Sequence, residues 1–138
     1  MPGRAAGRRF FDTNILVYAF AADDPRSARA EELIAEGGVI SVQVLSEFTN
    51  VTRRKLKWDW KQVEASLAVI QELLGAAHPL TADLHGKAVV LARDSKLSFY
   101  DALIVAAAMD ADCDLLCSED LQDGQRFGDL TIKNPFRR

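Results

Sequence analysis

Short apolar segments that alternate with longer amphipathic ones are the feature that most restricts the fold of this 138-residue chain. Five of these segments resemble short strands, because each is an apolar run bounded by turn or capping residues. They are Arg8–Phe11, Val39–Ser41, His78–Leu80, Asp114–Ser118 and Leu130–Ile132. Helices between strands predict an α/β fold with three layers, in which a mostly parallel central sheet of about five short strands is covered on both faces.

Apolar residues at three- and four-residue steps predict six helices between these strands. The helices are expected over Asn14–Phe20, within 23–38, over Val42–Lys55, over Trp60–Leu74, over 82–95 and over 98–111. Pro25 is expected near the start of the second helix, and Gly37 and Gly38 at its end. With no repeat or linker in view, we expect a flexible lead-in over residues 1–7 and a single domain over residues 8–138.

Composition narrows the classes of protein to consider. The longest apolar run, Ala102–Met109, has eight residues and is too short to span a bilayer. Cys113 and Cys117 would be about 13 Å apart on an extended segment, so we expect two reduced thiols and a cytoplasmic protein without membrane contact. The net charge of −3 does not favour nucleic-acid binding, although a local patch could act alone. Glycine-rich phosphate-binding motifs are absent, which argues against a nucleotide cofactor.

Two aspartates follow predicted strands. Asp12 comes directly after the first strand, where a helix cap and a functional acid are equally good interpretations. Asp120 lies just past Asp114–Ser118, in a region where turn aspartates are common, and Glu119 and Asp123 compete for any role given to it.

Two further acids lie on predicted helices. Glu47 falls at the edge of the apolar stripe formed by Val44, Phe48 and Val51, so it is either functional or part of a buried ion pair. Asp101 lies three residues after Ser98, a spacing that also fits a capping box.

The shared position of the four acids carries more weight than any one of them. Acids at strand ends, and on the helices behind them, would face one rim of a parallel sheet. Four carboxylates there repel one another unless a cation neutralises them. Oxygen ligands without His or Cys favour Mg²⁺ or Mn²⁺, with one ion or two. Such a site suits hydrolysis of a phosphodiester. His78 and His85 have no partner in a nucleophilic pattern and are expected to be structural or exposed.

Four segments together resemble the acidic motifs of the PIN-domain ribonucleases, in the order found in the VapC-type toxins of bacterial toxin–antitoxin pairs. They are FDTNILVYAF, SVQVLSEFTNV, SFYDALIVAAA and LLCSEDLQDG, and the resemblance runs from about Arg8 to Ile132. It implies that the metal-binding catalytic residues are Asp12, Glu47, Asp101 and Asp120, supported by Asn14 and Ser118. It also implies an RNA substrate, Mg²⁺ (or Mn²⁺ as a substitute), a homodimer and a cognate antitoxin. Many members have threonine where this chain has Ser118, which keeps the hydroxyl.

The segment Thr52–Lys61 carries five basic residues interleaved with Trp58 and Trp60. One interpretation is contact with RNA or antitoxin through Arg53, Arg54, Lys55 and Trp58. The other, which we favour from sequence, is a helix end whose cations complement the helix dipole, with Trp60 packed in the core.

Two other classes of function share parts of this pattern. A phosphotransfer domain would also place an aspartate at a strand end, but it needs a second acid or a lysine that these motifs lack. A non-catalytic PIN-like binding module, or a metal-dependent nuclease without a toxin role, would share the fold.

Overall fold

The structure is a computed structural model that describes residues 7–21 and 23–137. The expected lead-in therefore lies, apart from Gly7, outside the described residues. The strands are β1 (Arg9–Phe11), β2 (Leu115–Cys117), β3 (Arg126–Phe127) and β4 (Leu130–Lys133). The helices are α1 (Thr13–Phe20), α2 (Ser27–Ala35), α3 (Val42–Arg54), α4 (Trp60–Leu74), α5 (Ala82–Ser95) and α6 (Phe99–Asp110).

The four strands form one sheet in the order β1-β2-β4-β3, and only the pairing of β3 with β4 is antiparallel among the described residues. Two parallel bridges extend the sheet beyond β1, one between Phe10 and Val39 and one between Ser41 and His78. The expectation of a mostly parallel α/β sheet is confirmed.

The five expected strands are not all present as strands. Val39–Ser41 takes part in two isolated bridges and His78–Leu80 in one, because the chain passes from each segment into a helix within a few residues. β3 was not expected from the sequence. It is two residues long and pairs with β4 across a tight turn at Gly128, too short a segment for alternation of side chains to reveal.

The predicted helices are all present, with α2 shorter than expected. Pro25 lies in the turn before α2, which begins at Ser27, and the chain leaves the helix before Gly37. Polar side chains cap most of the others: Asp12 caps α1, Ser41 caps α3 and Ser98 caps α6.

The helices pack in two groups. Helices α1 to α4 contact one another, whereas α5 packs on α6 and α6 on β2, which gives the three-layer arrangement. The core between the layers includes Phe10, Phe11 and Leu116 from the parallel strands, all fully buried. Gly38 lies so close to β1 that an added Cβ would stand 2.4 Å from the Phe11 ring. Cys113 and Cys117 are both buried and neither forms a disulfide, as expected. In the described part of the chain, no helix is long and apolar enough to cross a membrane.

Candidate active site

The register of the parallel strands brings Asp12 and Ser118 together. β1 and β2 pair so that Phe11 lies beside Cys117. The residues that follow these two strands, Asp12 and Ser118, therefore leave the sheet at the same edge. The Ser118 hydroxyl donates to Oδ2 of Asp12 at 2.8 Å, although 106 residues separate them. The other carboxylate oxygen of Asp12 accepts from the Thr13 backbone amide at 2.7 Å, so the cap interpretation is confirmed.

Asp12 is only 7% exposed, and its surroundings disfavour the charged form. Burial raises the pKa of Asp12 from its ordinary value of 3.8 to about 6, and the negative charges of Glu47 and Asp120 push in the same direction. The hydrogen bonds from Ser118 and Thr13 oppose this rise without cancelling it. The site therefore contains a buried carboxylate with no cationic partner among the groups that shift its pKa.

Helix α3 brings Glu47 to the same place. Ser41 caps α3 and lies two residues after Val39, which bridges to Phe10 of β1, so the helix starts near the sheet edge and presents Glu47 after its first turn. The Thr13 hydroxyl donates to Oε1 of Glu47 at 2.5 Å, and the Gln43 amide donates to Oε2 at 3.2 Å. The buried-salt-bridge alternative for Glu47 is wrong within the described residues, because no arginine or lysine pairs with it there.

Asp120 and Asp101 complete the group. Asn14, the second residue of α1, donates through its side-chain amide to Oδ2 of Asp120 at 2.8 Å. The pKa of Asp120 is raised by burial first, then by the charges of Glu119 and Asp101. Asp101 lies in the first turn of α6, where its backbone amide donates to the Ser98 hydroxyl at 3.3 Å. Its carboxylate is thus held near the positive end of a helix dipole.

One cleft of about 310 Å³ contains all four carboxylates. Its lining residues are Asp12, Thr13, Asn14, Glu47, Asn50, Val51, Asp101, Ile104 and Asp120. The structure therefore brings together the whole set that the sequence singled out, and the supporting residues Asn14 and Ser118 hold two members of it.

The donor atoms of this cleft fit a hard divalent cation. All four acids offer oxygen, and no lysine, arginine or histidine is among the groups that shift the pKa of Asp12 or Asp120. Among the described residues, no three His, Cys, Asp or Glu side chains are already gathered tightly enough to hold a metal. Since Mg²⁺ takes one or two protein carboxylates and keeps several waters, a looser arrangement suits it.

Glu119 and Asp123, the competitors of Asp120, are engaged elsewhere. Glu119 accepts from the Tyr18 hydroxyl at 2.5 Å and from Nη1 of Arg26 at 2.7 Å. Asp123 accepts from the backbone N–H of Asn134 at 2.7 Å. Neither lines the cleft. Both instead tie the loop that carries Asp120 to neighbouring parts of the fold.

The basic segment after α3 corrects one expectation. Trp60 is 56% exposed, so the interpretation that packed it in the core is wrong. Trp58 packs instead, with its ring 6.3 Å from the buried ring of Phe48. The guanidinium of Arg53 lies over the Trp60 ring at 4.4 Å. Arg54 and Lys55 are exposed.

The histidines stay outside the site, as expected. His78 contacts Oδ2 of Asp110 through Nε2 at 2.8 Å, and the ring of His85 lies 5.1 Å from that of Phe99.

Sequence reasoning did not identify Thr13 and Gln43. Both orient Glu47, and Gln43 also donates to the Tyr100 carbonyl at 3.2 Å. The signal was present for Gln43, since a polar residue four positions before Glu47 shares its helix face. No local pattern pointed from Thr13 to a residue 34 positions away.

The known structures most informative here share this fold at low identity. A toxin–antitoxin complex from Klebsiella pneumoniae is 20% identical, with a TM-score of 0.71 over 94% of this chain and 99% of that one. VapBC2 from Rickettsia felis, bound to a promoter DNA fragment, is 22% identical, with a TM-score of 0.66 over 91% and 96%. VapC20 from Mycobacterium tuberculosis, a toxin that cleaves the sarcin-ricin loop, is 23% identical, with a TM-score of 0.63 over 81% and 91%. No curated protein matches the sequence significantly.

The family comparison covers most of the chain. The PIN domain family matches residues 9–125, which contain all four acids, the sheet edge from which Asp12 and Ser118 emerge, and the helices that carry Glu47 and Asp101. This protein therefore belongs to the PIN domain family.

Proposed function

We propose that this protein is a divalent-metal-dependent endoribonuclease that acts as the toxin of a type II toxin–antitoxin system. The observation that carries the proposal is one cleft lined by four carboxylates, of which the most buried, Asp12, has a pKa raised to about 6. Membership of the PIN domain family supports the nuclease activity, and the toxin–antitoxin proteins that share the fold support the toxin role.

Asp12, Glu47, Asp101 and Asp120 would hold Mg²⁺, or Mn²⁺ as a substitute. The bound cation would supply the positive charge that activates a water molecule and stabilises the phosphodiester during in-line attack. Hydrogen bonds orient two of the acids. The Ser118 hydroxyl and the Thr13 backbone amide orient Asp12, and the Asn14 side-chain amide orients Asp120. At neutral pH Asp12 is mostly ionised, because its pKa of about 6 lies below the working pH.

The partners belong to the same proposal. We propose RNA as the substrate, a cognate antitoxin as the inhibitor, a homodimer as the working form and the cytoplasm as the location. Solved complexes with this fold that contain toxin and antitoxin together support the antitoxin partner.

Nuclease activity is tested by incubating purified protein with structured and unstructured RNA in Mg²⁺, in Mn²⁺ and in EDTA. We expect metal-dependent cleavage that Asp12→Asn and Asp101→Asn abolish, since each removes a ligand charge. Asp94→Asn is the matched control, because Asp94 is exposed and pairs with Arg93 outside the cleft. Undiminished cleavage in EDTA, or wild-type activity of Asp12→Asn, would refute the metal-dependent nuclease.

The toxin role needs a separate test in cells. Induced expression of the wild-type chain is expected to arrest growth, and expression of Asp101→Asn at the same level is not. Normal growth despite measurable RNA cleavage by the purified protein would instead indicate a nuclease without a toxin role. Mapping the 5′ ends of the cleaved cellular RNA would then identify the substrate in either case.

A further inference from the structure

A second pocket adjoins the carboxylate cleft along α3. It has a volume of about 520 Å³ and is lined by Ser46, Thr49, Asn50, Arg53 and Trp60. We call it the Trp60 pocket. Asn50 also lines the carboxylate cleft, so the two cavities share a wall. The Trp60 pocket contains no acid, and its lining combines hydroxyls, an amide, a guanidinium and one indole ring.

Trp60 is held in place although the fold does not bury it. It is the first residue of α4, and its ring lies under the guanidinium of Arg53 at 4.4 Å. Arg53 in turn donates through Nη1 to the carbonyl of Trp58 at 2.7 Å, and Trp58 packs against the core. The ring is therefore fixed by its neighbours and still 56% exposed, so it could take part in a contact without first having to be ordered.

The charge around this pocket favours a polyanion. Arg53, Arg54, Lys55, Lys57 and Lys61 form no ion pair with any described residue. Several other cations of this net-negative chain are paired, such as Arg26 with Glu119 and Lys87 with Asp110. The nearby carboxylate of Asp59 caps α4 by accepting from the Gln62 amide. Unpaired cations beside a π-face are the elements of a single-strand binding surface.

The geometry of α3 places this pocket next to the cleft. At about 100° per residue, Ser46, Thr49, Asn50 and Arg53 share one face of α3, and Asn50 is the member nearest to the Glu47 direction. At about 1.5 Å of rise per residue, Arg53 lies roughly 9 Å along the helix from Glu47. A strand whose phosphate lies at the carboxylates would therefore reach the Trp60 pocket with an adjacent nucleotide.

We infer that Trp60, flanked by Arg53, is a stacking site for an unpaired RNA base next to the nucleotide whose phosphodiester is held at the carboxylates. This inference rests on the proposed function, because the proposed function is what identifies the bound polymer as RNA. An unpaired base is favoured over a duplex because stacking requires a splayed base. RNA is favoured over a protein partner because the pocket is cationic and polar around its one ring.

The two tryptophans allow a direct test. Trp58→Phe leaves Trp60 as the only indole of the chain, and Trp60→Phe leaves only Trp58. Both are made with Asp101→Asn so that RNA survives in Mg²⁺, and both are titrated with an oligouridylate. We expect the fluorescence of Trp60 to be quenched and that of Trp58 to stay unchanged. An abasic ribose-phosphate oligomer, which keeps the charge and lacks the bases, is expected to quench far less.

Binding affinity provides a second readout that does not require Trp58→Phe to fold. In the Asp101→Asn background, Trp60→Ala is expected to weaken binding of a fluorescein-labelled oligouridylate by about ten-fold, within the range found for single base–aromatic stacks. Leu80→Ala, which also truncates an exposed apolar side chain, is the matched control and should bind normally.

The outcomes separate this inference from the proposed function. Metal-dependent cleavage by the wild-type chain, with no quenching of Trp60 and normal binding by Trp60→Ala, overturns the stacking site and leaves the nuclease intact. Quenching without cleavage keeps the stacking site and refutes the nuclease. If Trp60→Ala binds RNA normally but changes the oligomeric state of the protein in solution, the surface contacts another protein chain and the inference is wrong.

Discussion

Asp12→Asn tests most directly whether the metal-free cleft carries the cost of a buried carboxylate charge that a bound cation would offset. In metal-free protein the Asp12 carboxylate is buried and faces the charges of Glu47 and Asp120, and burial is the main reason its pKa rises from 3.8 to about 6. Asparagine has nearly the same shape, carries no charge and can still cap α1 with its oxygen. The substitution therefore removes the cost of burying a charge while keeping most of the packing.

The magnitude follows from the pKa. Each unit of pKa corresponds to about 1.4 kcal/mol, so a rise from 3.8 to about 6 corresponds to about 3 kcal/mol. Because the folded-state pKa of Asp12 is the higher one, the folded protein binds its proton more tightly than the unfolded chain does. The resulting stabilisation is complete below pH 3.8 and is lost as the pH rises through about 6. Above that pH the wild type carries the full cost, and the Asn variant carries none.

Thermal unfolding in EDTA measures this difference. At pH 8 we expect Asp12→Asn to melt up to about 10 °C above the wild type, taking roughly 3–4 °C per kcal/mol for a chain of this length. Near pH 4 the two proteins should melt within a few degrees of each other. The titration of Asp24 does not interfere, because its pKa is held down to about 2 by Arg26 and its contribution is lost only below pH 4.

Two results would refute this reasoning. A lower melting temperature for Asp12→Asn at pH 8 in EDTA would mean that the carboxylate stabilises the fold as a cap and hydrogen-bond acceptor more than its burial costs. A difference between the two proteins that does not change with pH would mean that the titration of Asp12 is not its cause. Asp94→Asn, at an exposed position, should show neither effect.

Other perturbations test the supports of the site. Ser118→Ala removes the hydroxyl bond to buried Asp12 and two further amide contacts, so unfolding in urea should show a loss of about 1–3 kcal/mol. Arg26→Ala frees Glu119, and hydrogen exchange should become faster in residues 119–123 but not in β1. Gly38→Ala would place a Cβ 2.4 Å from the buried ring of Phe11, and the free energy of unfolding should fall by about 1–3 kcal/mol. Unchanged hydrogen exchange in Arg26→Ala would contradict the role given to its contact with Glu119. An unchanged free energy of unfolding in Ser118→Ala or Gly38→Ala would contradict the contacts given for those two residues.

Local pattern was enough to predict the layers of this protein and the four acids that line the candidate cleft. Helical periodicity is strong over long segments, so all six helices were predicted, and alternation with strands implied a parallel sheet. Asp12 and Asp101 were recognised because the ends of strands and the starts of helices have clear sequence signals. That these acids share one rim follows from the rule that parallel strands end at the same edge.

Short elements were beyond such patterns. β3 has two residues, and the bridges at Val39 and Ser41 have one residue each, which is too little for a period to appear. Trp60 continues the apolar spacing of α4, but it is the first residue of the helix and lies before the buried positions of α4. Periodicity shows which face of a helix is apolar, but it does not show how far along the helix that face is covered by the rest of the fold. Trp58, which has no such spacing, is half-buried and packs against the core there.

The sequence by itself determined that four carboxylates lie where a parallel sheet gathers its strand ends, because residue type and period are local properties. Only the tertiary structure decided which groups hold them. The register of β1 on β2 places Ser118 beside Asp12, and the packing of α1 against α3 places Thr13 beside Glu47. These contacts join residues 106 and 34 positions apart. They form because burying the common core selects one register and one helix packing, which no local pattern specifies.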